Sequence, residues 1–218
     1  MCYREVFARM NMNDSETVAL IGGGHAVGRS HGACPSGPGP SPLEDPIQSW
    51  PGQCGQGRGR DTYTSGYEMP FTSRPTNFDS EYFQNLLNYK WKLIEGRGGK
   101  NQWEPVSGPD GSLPMAPSAH GKGWEKVGML TTDIALCTDP DYNEIVKLFA
   151  KDEEKFLSMF AHAWYKLTTR DMGPRSRCGN TDAPPGQDWQ YPLPAPTLQG
   201  PKYSEVKTDI QQLLRRRL

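Results

Sequence analysis

Four stretches of the chain repeat apolar positions at the spacing of a helix that buries one face, and a fifth does so more weakly near the C-terminus. In the first, Asn13 stands three residues before Glu16, as in a capping box, and Val18, Leu20 and Ile21 follow. A helix is expected to run from there through Gly22, Gly23 and Gly24 into His25. In the second, Asp79 is the expected N-cap of a helix whose Tyr82, Phe83, Leu86 and Leu87 share a face. The third opens on Asp139 and Pro140, a cap followed by proline at the first helical position, and lines up Tyr142, Ile145, Val146 and Phe149. The fourth carries Phe156, Phe160, Ala163, Trp164 and Leu167. The weak C-terminal pattern of Val206, Ile210, Leu213 and Leu214 runs into Arg215, Arg216 and Arg217, which suit the negative end of a helix dipole and read as a solvated helix end.

No internal repeat appears and nothing alternates like a multistranded sheet, so the fold class is expected to be mainly α. Between the helices lie long Gly/Pro-rich loops. Pro35 to Arg60 holds six Pro and six Gly, and Glu95 to Lys126 is also Gly-rich. Loops of this length are functional or disordered, and any strands are expected as short β-hairpins within them.

Composition narrows the partners. Lys and Arg number 24 against 25 Asp and Glu, a net charge of −1, so the basic excess that nucleic-acid binding requires is missing and no nucleic acid is expected. The longest uncharged apolar run, Thr17 to Val27, contains three glycines and falls short of the ~20 residues that cross a bilayer, so no membrane span is expected. Arg4 and Glu5 sit where a secretory signal would place its apolar region, and a cytoplasmic location follows as the expectation. Five cysteines, odd in number and without a Cys-x-x-Cys pair, argue against a disulfide framework and a zinc site.

Candidate chemistry centres on two residues. His25 and His31 lie six apart and would point to different sides of a shared helix, so only one of them can be a metal ligand. The glycines before His25 would let a large flat group approach the backbone; the alternative is a flexible helix end. Their spacing is not that of a phosphate-binding loop. Asp133 places one carboxylate in the apolar run Met129 to Leu136. A buried carboxylate needs a partner. It can fix the tautomer of a ligating histidine by accepting its other ring N–H, or it can cap a helix.

At these same residues the chain resembles the class I plant-type haem peroxidases. Glu16 to Gly32, Glu-Thr-Val-Ala-Leu-Ile-Gly-Gly-Gly-His-Ala-Val-Gly-Arg-Ser-His-Gly, looks like their proximal haem-ligand motif. Thr64 to Glu68, Asn77 to Phe83, Met129 to Leu136 and Trp164 to Pro174 follow in the family's order. Arg170 to Pro174, Trp189-Gln190 with Pro192 to Pro194, and the Gly/Pro insertion after His31 are most similar to the N-terminal domain of catalase-peroxidases, with cytochrome c peroxidase next. The resemblance covers residues 5 to 196. It implies a plant-type peroxidase fold in which 1–196 form the proximal half of a haem peroxidase domain, with loop insertions at 33–63 and 95–128. Residues 197–218 would form a linker and an amphipathic helix.

The resemblance further implies haem b, with His25 as the proximal iron ligand and Asp133 as its hydrogen-bond partner. Gly24, Gly28 and Ser65 would border the cofactor. Arg170 matches the mobile arginine tied to catalase activity, and Met10 matches the methionine of the covalent Met-Tyr-Trp adduct. In the family a tryptophan completes the proximal triad; at its position this chain has Phe71, so no proximal tryptophan radical is expected. The distal helix, with its Arg, Trp and His, has no counterpart among these 218 residues, and the chain is expected to be a fragment whose distal half or homodimer partner lies elsewhere. The implied activity is reduction and dismutation of hydrogen peroxide in oxidative-stress defence, with an unidentified electron donor. The alternatives are a non-catalytic haem-binding protein and a cytochrome c peroxidase-like electron-transfer peroxidase. His162 is expected on the polar side of its helix, facing solvent.

Overall fold

A computed structural model describes residues 3–30, 67–96, 100–108, 110–118, 122–179, 182–191 and 203–215. Ser65, His31 and His120 lie outside the described residues, as do the whole 33–63 insertion and the last three residues. The chain divides into two compact units, Met1–Leu167 and Thr168–Leu218.

The first unit is helical with three two-stranded antiparallel pairs, which agrees with the mainly α expectation. Helix α1 spans Tyr3–Arg9 and α2 spans Asp14–Ala26. The capping box at the start of α2 forms as the sequence requires: Glu16 N donates to Asn13 Oδ1 at 2.8 Å and Asn13 N donates to Glu16 Oε2 at 2.8 Å. Helix α3 spans Glu81–Asn88. Its N-cap is Ser80, one residue after the expected Asp79. Asp79 still satisfies the helix start, because its Oδ1 accepts from Glu81 N at 3.0 Å. Helix α4 covers Thr131–Thr138 and α5 covers Pro140–Lys151, capped by Asp139 Oδ1 accepting from Asp141 and Tyr142 N. Helix α6 covers Glu153–Thr169.

Strands were expected only as hairpins within the long loops; β4, β5 and β6 lie in the second of these, whereas β1, β2 and most of β3 lie outside them. β1, Arg29–Ser30, pairs with β2, Met69–Pro70; β3, Lys90–Glu95, pairs with β4, Asn101–Ser107; and β5, Met115–Pro117, pairs with β6, Trp124–Lys126. The β1–β2 pair matters most for the site, because it returns the chain after Pro70 to the C-terminal end of α2. Gly28 N donates to Pro75 O at 2.7 Å and Thr72 Oγ1 to Ala26 O at 3.3 Å across the same junction. Gly28 itself turns the chain out of α2 at φ +76°, a left-handed conformation that favours glycine.

The core packs Val18 and Ala19 of α2 against Tyr82, Phe83 and Leu86 of α3, Leu136 of α4, Tyr142, Val146 and Phe149 of α5 and Phe156 of α6. Leu20, Ala163 and Leu167 pack in a separate small cluster, and Leu87 and Trp164 are exposed, the latter stacked on Phe160 at 5.8 Å between ring centres.

Glu16 ties α2 to α6. Its buried carboxylate accepts from Lys166 Nζ at 2.9 and 3.0 Å, and His162 Nε2 lies 3.0 Å from Oε1. His162 is exposed, as expected, and its ring also reaches this carboxylate. Burial alone would raise the Glu16 pKa, but the Asn13 N–H, Lys166 and His162 outweigh it and hold the value below the usual glutamate range. Arg4 clamps α1 to the rest by bonding Asp14 and Asp139 while lying 4.2 Å over the Tyr142 ring. Within the second unit, Trp189 Nε1 donates to Thr169 Oγ1 at 3.0 Å, Arg175–Arg177 form a 3-10 turn, and α7 covers Tyr203–Arg215 with its apolar residues exposed. None of the helices among the described residues is long and apolar enough to cross a membrane.

Replacing Lys166 with Met leaves Glu16 buried without its main counter-charge, and urea denaturation at pH 7 should show a loss of about 3 kcal/mol. Because the native Glu16 value is depressed, its stabilisation is complete above the ordinary carboxylate range and fades as the pH drops through the folded value. The deficit of the Lys166→Met chain should accordingly shrink on acidification, when the stranded carboxylate protonates.

Candidate active site

His25 occupies the last turn of α2, where the helix meets the β1–β2 junction. Phe71, the first residue after β2, lies flat against it, with ring centres 3.7 Å apart and planes inclined by 29°. Tyr82 of α3 presents its ring edge-on to His25 at 5.2 Å. Two aromatic rings thus fix the imidazole, and its side chain keeps 20% of its surface open.

Asp133 closes the site from below. Only 1% exposed, it lies in the first turn of α4, and its Oδ2 accepts from Leu130 N at 2.7 Å. Its Oδ1 accepts from Tyr82 OH at 2.9 Å and faces His25 Nε2 at 3.4 Å. Of the two roles that the sequence left open for Asp133, the helix cap is made by Oδ2, while Oδ1 bonds Tyr82 and only faces His25. His25 Nε2 is buried and has no hydrogen bond of normal geometry; Asp133 Oδ1 is the acceptor placed to receive it.

The electrostatics follow from this carboxylate. Burial, then the charge of Asp133, raise the Tyr82 pKa well above that of a free tyrosine, so its hydroxyl remains a donor. The Cys137 thiol, one helical turn beyond Asp133, is pushed up to about 11 by burial and by the same charge. It is a neutral thiol at physiological pH and no thiolate ligand.

The glycines before His25 are not equivalent. A Cβ on Gly22 would stand 2.0 Å from Phe83 Cζ, and one on Gly23 would stand 2.1 Å from Phe160 Cδ2. These two are required by packing of α2 against α3 and α6. A Cβ on Gly24 or Gly28 would meet nothing within 4 Å. Within the run, open space is therefore found only at Gly24, the residue preceding His25.

Within the first unit, Met10 does not join this site. Met10 follows α1 and packs with Met12, Leu20 and Ala163, at the opposite end of α2 from His25. Arg170 is half-buried and belongs to the second unit. The sequence reading missed Tyr82 as a site residue, because it was counted only as an apolar member of the α3 face. A tyrosine placed fully inside that face was the available signal, since its hydroxyl needs a partner.

A family model described as Peroxidase matches residues 2–152. The chain is 46% identical over 198 residues to a catalase-peroxidase of Symbiobacterium thermophilum, an alignment covering 88% of this chain and 27% of that protein. It is 44% identical to the catalase-peroxidase of Granulibacter bethesdensis, covering 96% and 28%, and 44% identical to that of Geobacillus kaustophilus, covering 95% and 29%. The chain thus spans between a quarter and a third of the length of these relatives.

Gly22→Ala should destabilise the protein by about 1–3 kcal/mol, since the ring of Phe83 has no room to retreat. Gly24→Ala, meeting open space within a helix, should stabilise the haem-free chain by about 0.5–1 kcal/mol. Melting temperatures of the two variants, shifted in opposite directions, check the division of the glycine run.

Proposed function

The chain belongs to the peroxidase family, and from that premise we propose that it forms the proximal, iron-holding part of a haem-dependent catalase-peroxidase acting on hydrogen peroxide. The observation that carries this reading is the His25 constellation: an imidazole on the last turn of α2, stacked on Phe71, with one nitrogen facing Asp133 and open space at Gly24. These residues fit haem. A histidine whose inward nitrogen faces a buried carboxylate can keep its proton there and offer the lone pair of its other nitrogen to a metal.

Bound haem would supply the oxidising chemistry on peroxide, with electrons returned by a second peroxide or by an unidentified organic donor. The chain's own contribution is to hold and tune. Asp133 fixes the tautomer of His25 and raises its basicity, and Phe71 fixes the plane of the ring. Phe71 has no N–H, so it cannot donate to Asp133 and is a poor site for an oxidised side chain. Ser65, Gly24 and Gly28 are proposed as neighbours of the cofactor. Met10 and Arg170 are proposed to serve the catalase reaction. Residues 1–196 are proposed as the peroxidase part and 197–218 as an appended linker and helix, in a cytoplasmic protein of oxidative-stress defence.

Peroxide cleavage also needs an acid–base group on the face opposite the ligand, which typically contributes ~10²–10⁴-fold. His162 is engaged with Glu16, so within the first unit it does not offer that base. Haem-loaded chain by itself is accordingly proposed to evolve only traces of oxygen from hydrogen peroxide.

Haem titration followed by the Soret band tests the central assignment. The unaltered chain should give a His-ligated spectrum, His25→Ala should lose it, and His162→Ala should keep it. A Soret band that survives His25→Ala unchanged would remove the ligand and, with it, this reading.

A further inference from the structure

Tyr82 and His25 address the same atom. Asp133 has two oxygens, and Oδ2 is committed to the backbone N–H of Leu130 at 2.7 Å. Oδ1 accepts from Tyr82 OH at 2.9 Å while also facing His25 Nε2 at 3.4 Å. Phe71, stacked on His25, contributes no donor. We propose that Tyr82 is a positioning residue that acts on His25 through Asp133, its hydroxyl drawing charge from Oδ1 and so setting how strongly that oxygen holds the His25 ring N–H. The proposal rests on His25 as the haem ligand.

The direction of the effect follows from the geometry. A carboxylate oxygen that already accepts a short O–H hydrogen bond has less charge to offer a second donor. The second contact, at 3.4 Å, is the longer one. A more weakly held N–H leaves the imidazole less anionic, and a less anionic ligand stabilises ferric iron less. Removing the hydroxyl would free Oδ1 for His25 alone. Asp133 would not swing away, because its Oδ2 remains fixed by Leu130 N in the first turn of α4. Tyr82→Phe also preserves the ring that sits fully buried among Phe83 and His25, so the variant changes one hydroxyl and leaves the packing.

Two measurements test this on the full chain. In the haem-loaded protein, the ferric/ferrous midpoint potential should move to more negative values in Tyr82→Phe and to more positive values in Asp133→Asn, whose amide is a weaker acceptor. A packing role for Tyr82 has no reason to produce opposite shifts. Normal haem uptake with an unchanged or raised potential in Tyr82→Phe overturns the proposal alone. Failure of the unaltered chain to take up haem on His25 overturns it together with the functional reading. In the haem-free chain, Tyr82→Phe should destabilise markedly when Asp133 is present and several-fold less when Asp133 is Ala, because only the first background loses a hydrogen bond. Equal losses in the two backgrounds would show that the hydroxyl does not act on Asp133.

Discussion

A carboxylate removed from water must find its donors inside the protein, and Asp133 finds two, on Leu130 and Tyr82, with His25 facing it from a third element. The backbone of Leu130 starts α4 on it, the hydroxyl of Tyr82 docks α3 against it, and His25 is set opposite its free edge at the end of α2. These segments are far apart in sequence, so the demand of one buried charge fixes where three helices meet. The apolar core around Val18, Phe83, Leu136 and Phe149 supplies the cohesion, but the polar group at its centre selects this arrangement of the helices over other ways of packing equally apolar faces.

The second constraint is steric and belongs to α2. Gly22 and Gly23 let Phe83 and Phe160 pack onto the helix backbone, which brings α3 and α6 close enough for Asp133 and Glu16 to reach their partners. Gly24 escapes that crowding and leaves His25 accessible on one side. The β1–β2 pair then lays Phe71 on the imidazole. Built in this way, the chain holds His25 by stacking and sets it against a carboxylate whose facing oxygen is bonded by a tyrosine hydroxyl.

What the sequence revealed and what it concealed divide along the range of the interactions. The caps of α2 and α5 were legible because Asn13 with Glu16, and Asp139 with Pro140, act within one turn. The pairing of His25 with Asp133 was legible as chemistry, since a charge in an apolar run demands a partner, and the family resemblance pointed to the same two residues. Helix α1 escaped notice because it is seven residues long, buries none of them, and depends on Arg4 reaching Asp14 and Asp139. Tyr82 was read as core, and its hydroxyl acquires meaning only through a contact 51 residues away. Leu87 and Trp164 kept helical spacing yet lie exposed, because periodicity records which face a residue is on and not whether a neighbour covers that part of the face.

The central claim is that His25 binds iron under the control of Asp133. The iron–histidine stretching band in the resonance Raman spectrum of the ferrous, haem-loaded chain tests it most directly, because that vibration reports the ligand and the charge on its ring together. The account predicts a band that disappears in His25→Ala and falls in frequency in Asp133→Asn. A band that survives His25→Ala, or one that Asp133→Asn leaves unmoved, would contradict it.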